Sequence, residues 1–180
     1  PDINPNHASM LTLVTAMAVA NAMHRVTGAE ALIKWPNDIV INGKKICGIL
    51  TEMSAQFDYI NHIVIGIGIN VHNESFPEEL QDHAGSLLLE CGKRVHRADL
   101  IEAFLEEFER LYAIYLKTED LSALQEEYDQ LLVNRGRQVR VLDPKEPFEG
   151  KAMGITKKGE LIVDTWESRK LVSSGAVSYT

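Results

Sequence analysis

The chain has 180 residues, 45% hydrophobic and 24% charged, a composition that folds and that excludes disordered, collagen-like and coiled-coil classes for the whole. Eighteen basic against 26 acidic residues leave a net charge of -8, the wrong sign for long-range attraction to nucleic acid, so no nucleic-acid binding is expected through this chain. No apolar run approaches the ~18 residues of a membrane span, and Pro1 to Pro5 lack the regions of a signal peptide, which suggests a cytoplasmic protein without membrane contact. Cys47 and Cys91 have neither disulfide-framework nor zinc spacing, which suits a reducing compartment. The chain starts at proline rather than methionine and is expected to be a piece of something longer.

In chain order, Asn4 can cap a helix with Pro5 in its first turn, and Met10, Leu13, Val14, Met17 and Ala18 recur at helical spacing until Gly28. Ala31 to Trp35 reads as a short strand stopped by Pro36, Ile39 to Ile41 as a second, and Asn42-Gly43 as a hairpin turn into a third from Lys45 to Met53. Gln56 to Tyr59 forms a polar turn. His62 to Val71 alternates strictly and is expected as a central strand of the sheet. A short helix around Ser86 to Glu90 ends near Gly92, and a longer one from Ala98 to Leu116 sets Ile101, Phe104, Leu105, Phe108, Leu111, Tyr112 and Tyr115 on one face. Glu106, Glu107 and Glu109 are expected on its solvated face, and a third helix from Leu121 to Leu132. From Gly136 the composition changes to short β-rich runs, at Gln138–Leu142, Phe148–Ile155, Glu160–Asp164, Lys170–Val172 and Ala176–Tyr179, the pattern of a small antiparallel barrel or sandwich.

Three clusters carry chemistry. Gly66, Gly68 and Asn70 fall on one face of their strand while isoleucines fill the other, so either a ligand or a closely packed helix lies against the glycines. Asn70 offers donors and an acceptor to a flat polar group. Lys34-Trp35-Pro36-Asn37-Asp38 concentrates a cation, an aromatic, a rigid turn, an amide and a carboxylate between two strands. Asp38 and Asn37 are equipped to orient an amine, or simply to close an Asx-type turn, and Trp35 is expected in the core. Lys44 and Lys45 lead into a strand beside the bared one, as an anion anchor or as edge-strand protection. Strict alternation puts Lys45 and Gly48 on opposite faces, so both reach one ligand only through a bulge or a backbone contact. The six histidines have no metal spacing, and Gly66-Ile67-Gly68 lacks the rest of a dinucleotide fingerprint.

Lys34-Trp35-Pro36-Asn37-Asp38, then Gly43-Lys44-Lys45-Ile46-Cys47-Gly48-Ile49-Leu50, then Val64-Ile65-Gly66-Ile67-Gly68-Ile69-Asn70, in this order and spacing, closely resemble the core of biotin protein ligases. Ser174-Gly175-Ala176-Val177-Ser178 resembles that family's C-terminal end. The resemblance implies an α+β fold: a class II aminoacyl-tRNA synthetase/biotin ligase-like mixed sheet with helices over residues 1–135, then a small SH3-like β-barrel over 136–180. It implies an enzyme that takes biotin and ATP, with Mg2+, to biotinyl-5'-adenylate, and then passes biotin to a lysine of a biotin carboxyl carrier protein. Lys45 would stabilise anionic oxygen, Asp38 orient or deprotonate the acceptor lysine, and Lys34 lend electrostatic support. Asn37 would position the adenylate beside Trp35, Gly66 and Gly68 would floor the ligand with Gly48, Ile49 and Leu50 beside biotin, and Asn70 would read the adenine edge. Lys34, Lys44 and Lys45 would form a basic docking area for the carrier, and pairing of two copies through the sheet is expected.

One departure is plain. The family's Gly-Arg-Gly-Arg-x-Gly-Arg loop and Ser-Thr-Asn segment lie upstream of Pro1, so the chain alone is expected to be poor at making the adenylate. A lipoate or octanoate protein ligase shares the chemistry without the tryptophan-containing run, and a non-catalytic ligand-binding module of the same fold is a further alternative.

Overall fold

The computed structural model describes residues 1–56, 59–143 and 146–179. The Asn4 side chain accepts the Asn6 N–H, Pro5 occupies the first turn, and a 3₁₀ stretch over Pro5–Met10 passes into α1, Leu11–Thr27. Gly28 closes α1 with φ of 76°, a left-handed conformation that costs glycine nothing. Four strands follow, β1 (Leu32–Lys34), β2 (Asp38–Ile41), β3 (Lys44–Gln56) and β4 (Tyr59–Ile69), all antiparallel in the order β1-β2-β3-β4. Asn42 and Gly43, with φ of 53° and 80°, make the expected β2–β3 turn. Residues 57 and 58 of the expected β3–β4 turn lie outside the described residues.

β4 is the edge of this sheet, not its centre. Its alternating isoleucines, Ile63, Ile65, Ile67 and Ile69, are half-buried against the core. Alternation reports that one face of a strand is covered; it carries no information on how many neighbours the strand has in its own plane. Two isolated parallel bridges, Ile33 with Leu132 and Lys45 with Ala84, attach further chain to this antiparallel sheet.

α2 (Leu87–Cys91) starts at Ser86, whose hydroxyl accepts the Leu89 N–H, and ends at Gly92 in the left-handed region. α3 (Arg97–Tyr115) packs along α1, which itself lies on β1, β2 and β3. Arg25 of α1 pairs with Glu106, and Asn21 donates to Glu107, so these two glutamates join the helices rather than standing free in solvent; Glu109 is exposed. Ile101 and Leu105 share the spacing of the buried positions and are nevertheless exposed. α4 is confined to Gln125–Leu131; Leu121 and Leu124 are buried in the turn before it, where the Leu121 N–H donates to Lys157 O.

β5 (Gln138–Val141), β6 (Phe148–Ile155), β7 (Leu161–Asp164), β8 (Arg169–Val172) and β9 (Val177–Tyr179) form a second antiparallel sheet in the order β8-β7-β6-β5-β9. Val139, Val141, Ala152, Ile155, Leu161, Val163, Val172 and Val177 fill its interior, a small SH3-like barrel. No helix among the described residues is long and apolar enough to cross a membrane.

Gly154 sits at a register shift between β6 and β7 with φ of 143°, and a Cβ there would lie 2.5 Å from the Asp129 carboxylate of α4. That carboxylate accepts the Ile155 N–H at 2.9 Å, so the site docks α4 on the barrel. Gly154→Ala is expected to lower stability by about 2 kcal/mol or more in urea unfolding; a loss under about 0.5 kcal/mol would contradict the packing.

Cys47 is buried beneath β2, and burial, reinforced by the nearby negative charge of Asp38, pushes its thiol up to about 12. Its thiolate fraction at pH 8 is then about 10⁻⁴. Iodoacetamide at pH 8 is expected to modify the half-buried Cys91 in the folded chain and to reach Cys47 only on unfolding, which peptide mapping would reveal.

Candidate functional site

Lys34 pairs with Asp38, Asp38 with Gly48, and Gly48 with Gly68, so these four residues form one row across β1, β2, β3 and β4. Directly opposed residues show their side chains on the same face, which places a cation and a carboxylate beside two bare positions. In the next row Leu50 stands opposite Gly66. A Cβ added to Gly66 would meet only Leu50 O at 3.7 Å, and one on Gly68 only Gly48 O at 3.8 Å. Among the described residues no helix lies on the glycines, and Leu50 is 63% exposed. The close-packed-helix alternative therefore does not apply, and this face is open to a ligand.

A bulge resolves the alternation problem at Lys45. Ile39 pairs with Cys47 but Val40 with Lys45, leaving Ile46 as the extra residue of β3. Ile46 and Cys47 both turn into the core, at 0% and 1% exposure, and Lys45 comes round to the face of Gly48. A Cβ on Gly48 would lie 3.3 Å from Lys45 Cε and 3.7 Å from Asp38 Oδ1. Lys45 Nζ meets Asp38 Oδ1 at 2.6 Å, with the lysine half-exposed and the carboxylate mostly covered. An ammonium held this way over a glycine can meet an incoming anion without a large rearrangement.

Lys34, Asp38, Val40 and Lys45 line a cleft of about 320 Å³ with His83, Ser178 and Tyr179. His83 arrives because the Lys45 N–H donates to His83 O at 2.7 Å and Gly85 N–H to Lys45 O at 3.0 Å, a short parallel pairing along β3. Tyr179 comes from β9, its ring centroid 5.8 Å from Lys34 Nζ and 5.2 Å from the Arg137 guanidinium carbon. Nothing in the sequence pattern of His83 or Tyr179 marks them, since each reaches the cleft through backbone pairing or barrel closure, whereas Ser178 belongs to the run that resembles the family's C-terminal end.

Trp35, Asn37, Ile49 and Leu50 line a second cleft, of about 230 Å³, with Gly159 and Ser174, and several of these residues also brace the sheet. Trp35 is buried and donates from Nε1 to Gly159 O at 3.0 Å. Asn37 donates to Ile49 O at 2.8 Å and accepts the Ile49 N–H on its own backbone oxygen at 2.9 Å, which staples the turn between β1 and β2 to β3. The Ile49 side chain is buried, on the opposite face from the glycine row. Asn70 donates to Gly85 O at 3.0 Å, fixing the segment that carries His83. Lys44 pairs with Glu90 at 3.8 Å and does not line the cleft, so the expected basic area of three lysines reduces to Lys34 and Lys45.

The biotin/lipoate A/B protein ligase family matches residues 1–70, and the biotin protein ligase C-terminal domain matches residues 136–179. The bifunctional ligase/repressor BirA of Bacillus subtilis is 38% identical over 179 residues, covering 98% of this chain and 55% of that protein. The biotin acetyl-CoA-carboxylase ligase of Mycobacterium tuberculosis is 31% identical, covering 93% of this chain and 61% of that protein. The chain thus spans little more than half the length of these curated relatives. The biotin protein ligase of Aquifex aeolicus, solved in complex with biotin and ATP, superposes with a TM-score of 0.84 at 26% identity, over 99% of this chain and 76% of that one. With both family domains present in order and this fold beneath them, the chain belongs to the biotin protein ligase family.

Proposed function

We propose that the chain carries the core of an ATP-dependent, cytoplasmic ligase that converts biotin to biotinyl-5'-adenylate and transfers it to a lysine of a biotin carboxyl carrier domain. The observation that carries this is the bulge at Ile46, which sets Lys45 and Asp38 over the glycine floor. Residues 1–135 would form the catalytic core and 136–180 the barrel.

In the first step a biotin carboxylate oxygen attacks the α-phosphorus of ATP and pyrophosphate leaves. Lys45 would stabilise the oxygens that gather charge, with Lys34 as electrostatic support. In the second step the acceptor amine attacks the acyl carbonyl, AMP leaves, and the amine proton passes to a base; Asp38 orients the amine or takes that proton. Gly48, Gly66 and Gly68 let the ligand lie against backbone, with Leu50 exposed beside it. Asn37 acts on the adenylate by fixing Ile49 in β3, and Asn70 offers its remaining groups to the adenine edge. Mg2+ would arrive on the phosphates of ATP. The outer edge of β4, which has no partner strand among the described residues, is where a second copy would pair. The net charge of -8 supports the absence of nucleic acid among the partners of this chain.

The deciding measurement is the thermal midpoint with biotinyl-adenylate and with lipoyl-adenylate as control. At a hundredfold excess over its Kd the biotinyl compound is expected to add about 2.7 kcal/mol, roughly 5–10 °C for a chain of this size. An equal rise with the lipoyl compound would favour a lipoate ligase, and no rise with either would sink the assignment for this chain.

Gly66→Ala has room for its methyl group, so it is expected to melt within about 3 °C of the parent while weakening biotinyl-adenylate binding at least about tenfold. Lys45→Ala, in the complete protein, is expected to slow adenylate formation by about 10²-fold or more, measured as pyrophosphate release.

A further inference from the structure

Asn134 stands where the core gives way to the barrel and is 0% exposed. Its side-chain oxygen accepts the Trp35 N–H at 3.0 Å, across 99 positions of chain. Its Nδ2 is buried and finds no hydrogen-bond partner among the described residues. The backbone around it is held in place: the preceding Val133 N–H donates to Ile33 O at 2.9 Å, and the Arg137 N–H donates to Asn134 O at 3.1 Å.

An unpaired buried amide donor costs about 1–3 kcal/mol, and an apolar side chain would exchange that orphan for another of similar cost, the Trp35 N–H. Only the acceptor half of the amide is used. It serves the residue that opens the run from Trp35 to Asp38, and the Trp35 indole is anchored again on Gly159 O. At the other end of the run Asn37 is stapled to Ile49 and Asp38 meets Lys45 at 2.6 Å. A run this short transmits a displacement at one end to the other, and misplacement of a reacting group by about 1 Å costs on the order of 10²-fold in rate.

We infer that Asn134 is a positioning residue of the site, its side-chain oxygen fixing the Trp35 N–H and through it the place of Asp38 over the sheet; this rests on the ligase reading above. Two substitutions in the complete protein separate positioning from packing. Asn134→Leu keeps the branched shape, removes both the acceptor and the unpaired donor, and leaves the Trp35 N–H without its partner. Asn134→Asp keeps the acceptor. Expected for Asn134→Leu are a melting temperature no more than about 3 °C below the parent, a kcat for biotin transfer at least about tenfold lower, and a KM for biotin within about twofold. Asn134→Asp is expected to return kcat to within about threefold of the parent.

A leucine variant with kcat within about threefold of the parent, or an aspartate variant as slow as the leucine variant, overturns the inference. Should Asn134→Leu not fold, Asn134→Ser, whose shorter side chain cannot span the same distance, is held to the same outcomes. A parent that lacks biotin-dependent activity defeats the ligase reading instead. The positioning claim is then decided by amide hydrogen exchange at Trp35, Asn37 and Asp38, expected at least about tenfold faster in Asn134→Leu, and unchanged exchange overturns it.

Discussion

Ile46 and Cys47 both face the core, and because they do, the residues on either side of them, Lys45 and Gly48, both face out. Were β3 to alternate strictly through Ile46, with no bulge, Lys45 would be directed into the apolar layer beneath α1. Burying an unpaired ammonium there costs several kcal/mol, which would drive either a neutral lysine or a different register. The bulge instead gives the ammonium a carboxylate partner at the mouth of a cleft, with Gly48 leaving space beneath it. The row from Lys34 to Gly68 has meaning as a site only because of this local irregularity.

The open face also explains how stability is distributed. A strand face that carries glycines at positions 48, 66 and 68 contributes little burial of its own. The opposite face compensates, with Ile39, Ile49, Cys47 and the β4 isoleucines packed toward α1, and α1 in turn covered by α3. α1 is accordingly buried almost all round, Val14, Ala16, Met17, Ala18 and Met23 each at 0% exposure. The two helices are tied by Arg25 with Glu106 and Asn21 with Glu107 at their margins, where partly solvated ion pairs and hydrogen bonds add modestly to what is chiefly apolar packing.

Much of this was legible in the chain because local rules act over a few residues. Asn42-Gly43 specifies its turn, Gly28 and Gly92 specify helix ends, and the runs after Gly136 give five strands close to their observed positions. The three motif clusters also contain the residues that the sheet brings into one row, Lys34, Asp38, Gly48 and Gly68. What the pattern did not carry is position within the sheet: the isoleucine alternation of β4 is equally good at an edge and at a centre. Helical spacing likewise placed Ile101 and Leu105 with the buried positions, although the buried stripe of α3 runs beside them through Leu100, Ala103, Leu111 and Tyr115. His83, Tyr179 and Asn134 were invisible because each acts through contacts made far along the chain, and no local propensity encodes such a meeting.

The cleft is walled on one side by Tyr179, and the two sheets it lies between are joined again at Trp35, pinned by Gly159 and Asn134 through contacts spanning 124 and 99 positions of sequence. Contacts of that separation form after hairpins and helices during folding, since the entropy of closing the intervening chain must be met first. An intermediate that has its first sheet and helix pair would own the glycine floor, the bulge and the Lys45–Asp38 pair, and still lack a cleft. By the same topology, a fluctuation that frees the barrel dissolves the walls while leaving the floor intact. Occupancy by ligand therefore couples to the opening equilibrium of the barrel, and protease susceptibility around residues 135–137 should track how much of the site is assembled at any moment.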